Sequence, residues 1–239
     1  MICSCNRIAI ASNGKYEITR MHIPDGLLNA GTLVGTAVIS TGGVAGAVRV
    51  VGKKLGEKQI PMMGVLAAFI FAAQMLNVPI VFGGTSGHFL GAALCVVLLG
   101  PWATLIILTL VLIVQCFIFQ DGGILALGAN IFNMGIVGGG AAYLIYQLGL
   151  KLFENNVRTK TILSFAAAWC SVVLASVACS LEIVISDVIP LRVVLPAMFG
   201  THAIIGLLEG AITVAALTLL RKTRADLLDL QESWQTDEE

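Results

Sequence analysis

Three observations predict an all-α integral membrane protein, a compact bundle of about seven transmembrane helices with six as the lower count. First, 57% of the 239 residues are apolar and only 12% are charged, against about 25% charged in an ordinary soluble domain; the mean hydropathy is +0.93. Second, the charges are segregated. From Gln59 to Gln120 there is no Asp, Glu, Lys or Arg, and from Pro61 to Leu150 the only formal charge is Asp121. Third, the apolar stretches are continuous rather than alternating, which fits helices and not the strands of a membrane barrel. A soluble fold cannot hide so much apolar chain, because its helices need a polar face for water. An ordinary cytosolic enzyme, a nucleic-acid-binding domain and a disordered regulator are thereby excluded. The net charge of zero says nothing about partners.

The first 20 residues, MICSCNRIAIASNGKYEITR, do not fit this picture. A secretory signal needs an apolar core of about 7–15 residues, and the longest apolar run here is Ile8 to Ala11. The stretch is also too short and polar for a domain. The expectation is that the protein begins at Met21 and that residues 1–20 are an upstream start-site artefact or a removed leader. Residues 21–220 then form the transmembrane bundle and residues 221–239 an acidic cytoplasmic tail.

A helix crosses the hydrocarbon core with about 20 residues. Seven apolar segments qualify, at roughly 29–49, 61–81, 84–99, 102–119, 131–150, 161–181 and 193–220. The third is short and begins in Gly83-Gly84-Thr85-Ser86-Gly87, so it reads as a broken or partly embedded helix, and six spans stay open. Gly100-Pro101 separates it from the fourth, because proline disfavours helix in the residue before it.

Orientation follows from the basic residues. Arg49, Lys53, Lys54 and Lys58 lie between segments one and two, Lys151, Arg158 and Lys160 between five and six, and Arg221, Lys222 and Arg224 after seven. Seven spans put all of these on one side, the cytoplasm, with Arg192 alone outside among the residues after Met21. Arg7, Lys15 and Arg20 would break the pattern. Met21 therefore falls on the outer face and the carboxyl terminus inside.

Four of the six cysteines, Cys95, Cys116, Cys170 and Cys179, lie in apolar segments and read as small packing residues. Cys3-x-Cys5 is one weak soft-metal pair. The pairs Gly31/Gly35, Gly87/Gly91, Gly135/Gly139 and Gly206/Gly210 have the spacing that lets helix backbones approach in lipid. No internal repeat of the secondary-transporter kind is evident.

Polar groups in a membrane are costly, so each calls for a role. With a free amine on Met21, the start Met21-His22-Ile23-Pro24-Asp25-Gly26 can offer three nitrogens: the amine, the His22 amide nitrogen and the His22 imidazole. Together they close two fused rings around one ion. Coplanar nitrogens favour Ni(II) or Cu(II) over Zn(II), and His88, after Gly87, is the natural fourth donor. Pro24 ends the tail and Asp25-Gly26 is a turn signal, so the tail can fold back into the bundle. The plainer alternative, taken on these residues alone, is an exposed histidine next to a starting methionine.

His202 and Glu209 are seven apart and share a helix face. Glu209 is either a functional carboxylate or a structural acid bonded to Gln74, Gln115 or Asn130. Asp121-Gly122-Gly123 with Gly128-x-Asn130-x-x-Asn133-Met134-Gly135 forms the outer link between segments four and five, where it either lines a site or caps the fifth helix. Capping is the simpler reading. Gly84-Thr85-Ser86-Gly87 also matches the Gly-x-Ser-Gly of rhomboid intramembrane proteases, with His202 as base. That scheme gives no role to His88 or to the Met-His start.

Taken together, Met21-His22-Ile23-Pro24-Asp25-Gly26, Gly83 to His88, Gln115 with Asp121-Gly122-Gly123, Gly128 to Gly135, and His202 with Glu209-Gly210-Ala211-Ile212-Thr213 resemble the CbiM/NikM family. These are the metal-capturing membrane components of energy-coupling-factor transporters for cobalt and nickel. The resemblance spans Met21 to about Leu220. It implies a helical bundle in a prokaryotic plasma membrane that binds Ni2+ or Co2+ through Met21, His22 and His88. Ser86, Asn130, His202 and Glu209 become candidates for supporting the ligands or for coupling. The metal is transported substrate, with no other cofactor and no catalytic activity. The implied partners are a transmembrane coupling protein, paired cytoplasmic ATPases and a small accessory membrane subunit, with membrane lipid around the bundle and no nucleic acid. Pro24-Asp25 looks like the nickel-type start. A self-sufficient metal permease is the alternative.

Overall fold

The computed structural model describes residues 22–54, 59–75 and 89–224, together with the backbone of four two-residue strands. Strand β1 (Ala9–Ile10) pairs antiparallel with β2 (Tyr16–Glu17), and β3 (Val78–Pro79) with β4 (Ser86–Gly87). Among the described residues, everything else of regular structure is helical: α1 (Ala30–Lys54), α2 (Gln59–Met75), α3 (Ala92–Ile118), α4 (Leu127–Ile131), a π-helical segment (Phe132–Gly138), α5 (Gly139–Leu152), α6 (Val157–Ile185) and α7 (Leu191–Thr223). The stretch from α4 through α5 is one continuous span. Among the described residues, five helices are long and apolar enough to cross a membrane, and α2 is a shorter apolar one. The chain is a multi-pass membrane protein.

Its solvation pattern is inverted relative to a soluble fold. Val38, Leu144, Ile162 and Leu208 point outward, each at least half exposed, whereas Gln74, Gln115, Thr213 and Glu209 are fully buried. Apolar groups can face lipid without cost, and polar groups must find partners inside.

Six apolar helices stand out among the described residues, the lower of the two predicted counts. The third and fourth predicted segments belong to α3, which is broken at Gly100 (φ 76°, ψ 176°) just before Pro101. The break is a reversal. The side-chain amide of Gln74 donates to the carbonyl of Leu90 at 3.0 Å and accepts from Gln115 at 2.9 Å. Along a straight helix, Leu90 and Gln115 would be about 38 Å apart at 1.5 Å per residue. Both touch one amide, so the chain descends through Ala92–Leu99, turns at Gly100-Pro101 and climbs back. Proline cannot donate to the preceding turn and glycine tolerates the positive φ. The predicted start of the third segment is not helical: Ser86–Gly87 is strand and residues 89–91 are irregular.

The glycine pairs divide. A Cβ on Gly206 would come 2.9 Å from Trp169, and one on Gly210 2.6 Å from Phe165, so this pair seats α7 against α6. Gly135 meets Leu105 at 2.6 Å and Gly139 meets Thr104 at 3.6 Å, which seats the fifth span on the rising leg of α3. Gly35 has open space around it, and Gly31 has only Asn29 near, so that pair packs no helix.

The basic residues gather at one end. Arg221 donates to Thr161 at 3.0 Å, joining the finish of α7 to the start of α6. A Cβ on Gly149 would collide with Leu163, joining the finish of α5 to the same place. At the opposite end, Asn29 caps α1 by accepting from Thr32 at 2.8 Å and ties it to the finish of α6 through Ile185 and Ser186.

Candidate metal site

The segment from His22 to Leu28 folds back into the bundle, as Pro24 and Asp25-Gly26 predict. Ile23 exchanges two hydrogen bonds with the side chain of Asn130: its N–H donates to Oδ1 at 3.0 Å, and its carbonyl accepts from Nδ2 at 3.2 Å. The same carbonyl accepts from Gly123 at 2.9 Å. The Asp25 carboxylate accepts from the backbone N–H groups of Ile124, Leu125 and Ala126 at 3.0, 2.8 and 3.2 Å. It thereby caps the turn that opens α4, supplying from a distant part of the chain the acceptor that such N–H groups lack.

The acceptor at the opening of the fifth span is thus Asp25 and not Asp121, and the Asp121-Gly122-Gly123 link is the seat of the tail. Gln120, at φ 54°, ends α3 and turns the chain back. Gly122 has φ +102°, and a Cβ there would lie 3.0 Å from the His22 Cβ. A Cβ on Gly123 would overlap the backbone and side chain of Asp25. Glycine is required at both positions because the tail lies directly on the link.

His22 is 4% exposed, and its ring is held by a chain of amides. Its Nε2 lies 2.9 Å from Gln115 Oε1 and 3.9 Å from Asp121 Oδ2. The direction of the chain is set at its far end. The Leu90 carbonyl can only accept, so the Gln74 amino group faces it. Gln74 Oε1 then accepts from the Gln115 amino group, and Gln115 Oε1 in turn needs a donor. That donor is His22 Nε2–H, which leaves the ring lone pair on Nδ1. The Leu90 peptide is itself clamped: its N–H and that of Gly91 each donate to the Glu209 carboxylate at 2.7 Å. Glu209, 1% exposed, thus sits at the positive end of the buried leg Ala92–Leu99.

Glu209 is bonded neither to Gln115 nor to Asn130, as the structural alternative had it, and reaches Gln74 only through Leu90. Asn130 instead holds the tail. His202 lies in the pocket beside His22, with Nδ1 2.7 Å from the Met198 carbonyl. Met21, His88 and the side chain of Ser86 lie outside the described residues, as does Cys3-x-Cys5. Leu90, two residues beyond His88, lines the same pocket as His22. Cys95, Cys116, Cys170 and Cys179 are free thiols, and Cys179 lines this pocket as well as packing. Among the described residues no three His, Cys, Asp or Glu side chains group as a metal site.

Sequence reasoning missed Glu182. It is 5% exposed near the carboxyl end of α6, and its Oε2 accepts from Asn133 Nδ2 at 2.7 Å. The available signal was an acid followed by Ile-Val-Ile, which places it inside a helix and not beyond its end.

Known proteins resemble this chain along nearly all of the described bundle. The family model described as CbiM, cobalt uptake substrate-specific transmembrane region, matches residues 22–227. The chain belongs to this family. A putative fused nickel transport protein of Archaeoglobus fulgidus is 40% identical over 211 residues, covering 87% of this chain and 68% of that protein. A putative metal transport protein of Haloquadratum walsbyi is 38% identical over 217 residues, covering 88% and 94%. A crystal structure of a truncated transition metal transporter superposes with a TM-score of 0.77 at 35% identity, covering 84% of this chain and 99% of that one. The family and these relatives are metal-transport components and not enzymes, which removes the intramembrane-protease alternative.

Proposed function

We propose that the protein is the metal-capturing membrane component of an energy-coupling-factor importer for Ni2+ or Co2+. The metal is held by the amine of Met21, the amide and imidazole nitrogens of His22, and a ring nitrogen of His88. One observation carries this reading: the Leu90–Gln74–Gln115 chain puts the His22 lone pair on Nδ1. Only Nδ1 closes a six-membered ring with the residue's own amide nitrogen; Nε2 points away from it. The hydrogen bond from Nε2 to Gln115, with Asp121 beside it, is the outer-shell partner that orients a ligating imidazole and raises its basicity. Three nitrogens from the chain end and one from His88 make a square suited to Ni(II). In this reading His88, two residues before Leu90, is the fourth donor, and the Glu209 clamp fixes the backbone of Leu90 and Gly91 that follows it.

The reading requires a free amine on Met21, so the working chain begins there. Met21 is outside the membrane, and the basic end with its acidic tail is cytoplasmic. The descending leg Ala92–Leu99 then counts as its own inner half-crossing, giving seven passes.

A four-nitrogen chelate must be forced to release its ion, and the chain carries no Gly-x-x-x-x-Gly-Lys-Ser/Thr loop for a nucleotide. Work is supplied by paired cytoplasmic ATPases acting through a transmembrane coupling protein, with a small accessory membrane subunit alongside. The glycine-seated helices let the bundle move against that protein as a body. Metal uptake into vesicles decides between this and a self-sufficient permease. The chain alone should accumulate nothing, and adding the coupling protein and ATPases should give ATP-dependent uptake. Concentrative uptake by the chain alone would favour the permease.

A further inference from the structure

Asn133 and Glu182 each leave one acceptor unused inside the bundle. Asn133 lies in the π-helical segment and Glu182 near the carboxyl end of α6. Both are 5% exposed, and the Asn133 amino group donates to Glu182 Oε2 at 2.7 Å. The other two oxygens of the pair, Asn133 Oδ1 and Glu182 Oε1, are buried with no hydrogen-bond partner among the described residues. They cannot satisfy each other, because an amide oxygen and a carboxylate oxygen only accept. The charge is not balanced either. Glu182 has no ion-pair partner among the described residues, and the basic residues around Thr161 and Arg221 lie at the other end of α6. An uncompensated carboxylate inside an apolar bundle is costly and points to a function. Asn133 also walls the cavity of about 80 Å³ beside the tail, together with Ser176 and Cys179 from the turns of α6 that lead up to Glu182.

The occupant must remedy both faults. Water would donate to the two oxygens and leave the charge. A divalent ion would replace one unit of negative charge by one of positive. A monovalent cation satisfies the oxygens and leaves the pair neutral. We propose that Asn133 Oδ1 and Glu182 Oε1 are ligands of a partly hydrated alkali-metal cation such as Na+. The cavity gives the ion room for water of its own, more than the roughly 10–15 Å³ that one water needs; a proton on Glu182 would need no such room. Na+ in membrane proteins is held by oxygen donors where helices are irregular, and a π-helical segment is an irregularity frequent at functional sites. The ion fastens this segment to the end of α6. Asn130, one turn before Asn133, holds Ile23 of the tail, so occupancy steadies the seat of the tail. The site uses none of the chelate nitrogens and does not depend on their assignment.

The test is a series of thermal melts of the full-length protein in detergent. Na+ is varied at fixed ionic strength by exchanging NaCl for N-methyl-D-glucamine chloride. An ion that binds only the folded state stabilises it by mass action. The melting temperature should rise by roughly 3–6 °C per tenfold increase in Na+ once the site is filling, and equilibrium dialysis with radioactive Na+ should find one ion per chain. Glu182→Gln is the decisive variant. Its amide can accept from Asn133 Nδ2 and donate to Asn133 Oδ1, so it satisfies the pair without an ion or a charge. It should fold, bind no Na+ and melt at one temperature whatever the Na+ concentration. Asn133→Ala should lose the Na+ dependence as well. A wild-type melting temperature indifferent to Na+, or a Na+ effect retained by Glu182→Gln, would overturn the proposal. A wild type that responds to pH and not to Na+ would overturn it in favour of a proton on Glu182. Displacement of the bound Na+ by Ni2+ in a protein carrying both His22→Ala and His88→Ala would overturn it in favour of a site for the transported metal.

Discussion

The imidazole Nε2 of His22 and the amide oxygen of Gln115 lie 2.9 Å apart, although 93 residues separate them in the chain. Through Gln74 and Leu90 this contact links the tail, the two legs of α3 and the Glu209 carboxylate into one polar chain. Each link has a consequence that can be measured.

Gln115→Leu removes the acceptor that holds His22 Nε2–H. Both ring tautomers then compete, and the ring loses its orientation. Loss of such an outer-shell partner typically lowers metal affinity about 10–100-fold. Competition against a chelator of known strength measures it, and affinity equal to wild type would show that the amide chain does not set the tautomer.

Glu209→Ala leaves the N–H groups of Leu90 and Gly91 without their acceptor inside the bundle. An unsatisfied buried donor costs about 1–3 kcal/mol, so the thermal midpoint in detergent should fall and metal affinity with it, because the backbone beside His88 loosens. Glu209→Gln, which keeps one acceptor oxygen, should lie between the two. A melt as stable as wild type for the alanine variant would remove the clamp from the account.

Gly123→Ala places a methyl group where Asp25 now sits. The long helices keep their packing on one another, so the protein should still fold, with a melt lowered by at least the loss of the Asp25 cap, about 0.5–2 kcal/mol, while the tail is displaced and metal binding is lost. Titration with Ni2+ alongside a thermal melt tests both halves.

Asp25→Ala removes the acceptor for three N–H groups at the opening of α4. As with loss of a helix cap, the cost is about 0.5–2 kcal/mol. Here it should appear as weaker metal binding and as faster amide hydrogen exchange at Ile124 to Ala126. Unchanged exchange there would mean that the carboxylate does not hold the link.

The sequence carried the tail's chemistry more clearly than its seat. Histidine in second place after a methionine, followed by proline and Asp-Gly, announces a chelating arm that turns back, and the structure turns it back. What receives it was not legible. Asp121-Gly122-Gly123 reads equally well as a cap, and only the close approach of Asp25 and His22 to the two glycines shows a seat. Glu209 stood out as the acid in an apolar run, but its partners are backbone N–H groups, which have no letter in a sequence. Glu182 was hidden by a boundary: α6 runs on to Ile185, four residues past the predicted end of segment six. The reversal at Gly100 was half visible. Gly-Pro marks a break, but whether a broken helix bends or doubles back depends on long-range contacts, here the Gln74 amide.

The most direct test of the central claim is equilibrium Ni2+ binding by protein with a free amine on Met21, compared with the same protein carrying one glycine inserted between Met21 and His22. The insertion leaves His22, His88 and the bundle in place and moves only the amine, which breaks the fused-ring geometry. The account predicts one Ni2+ per chain for the first protein and severely weakened binding for the second. Equal affinity in the two would contradict it.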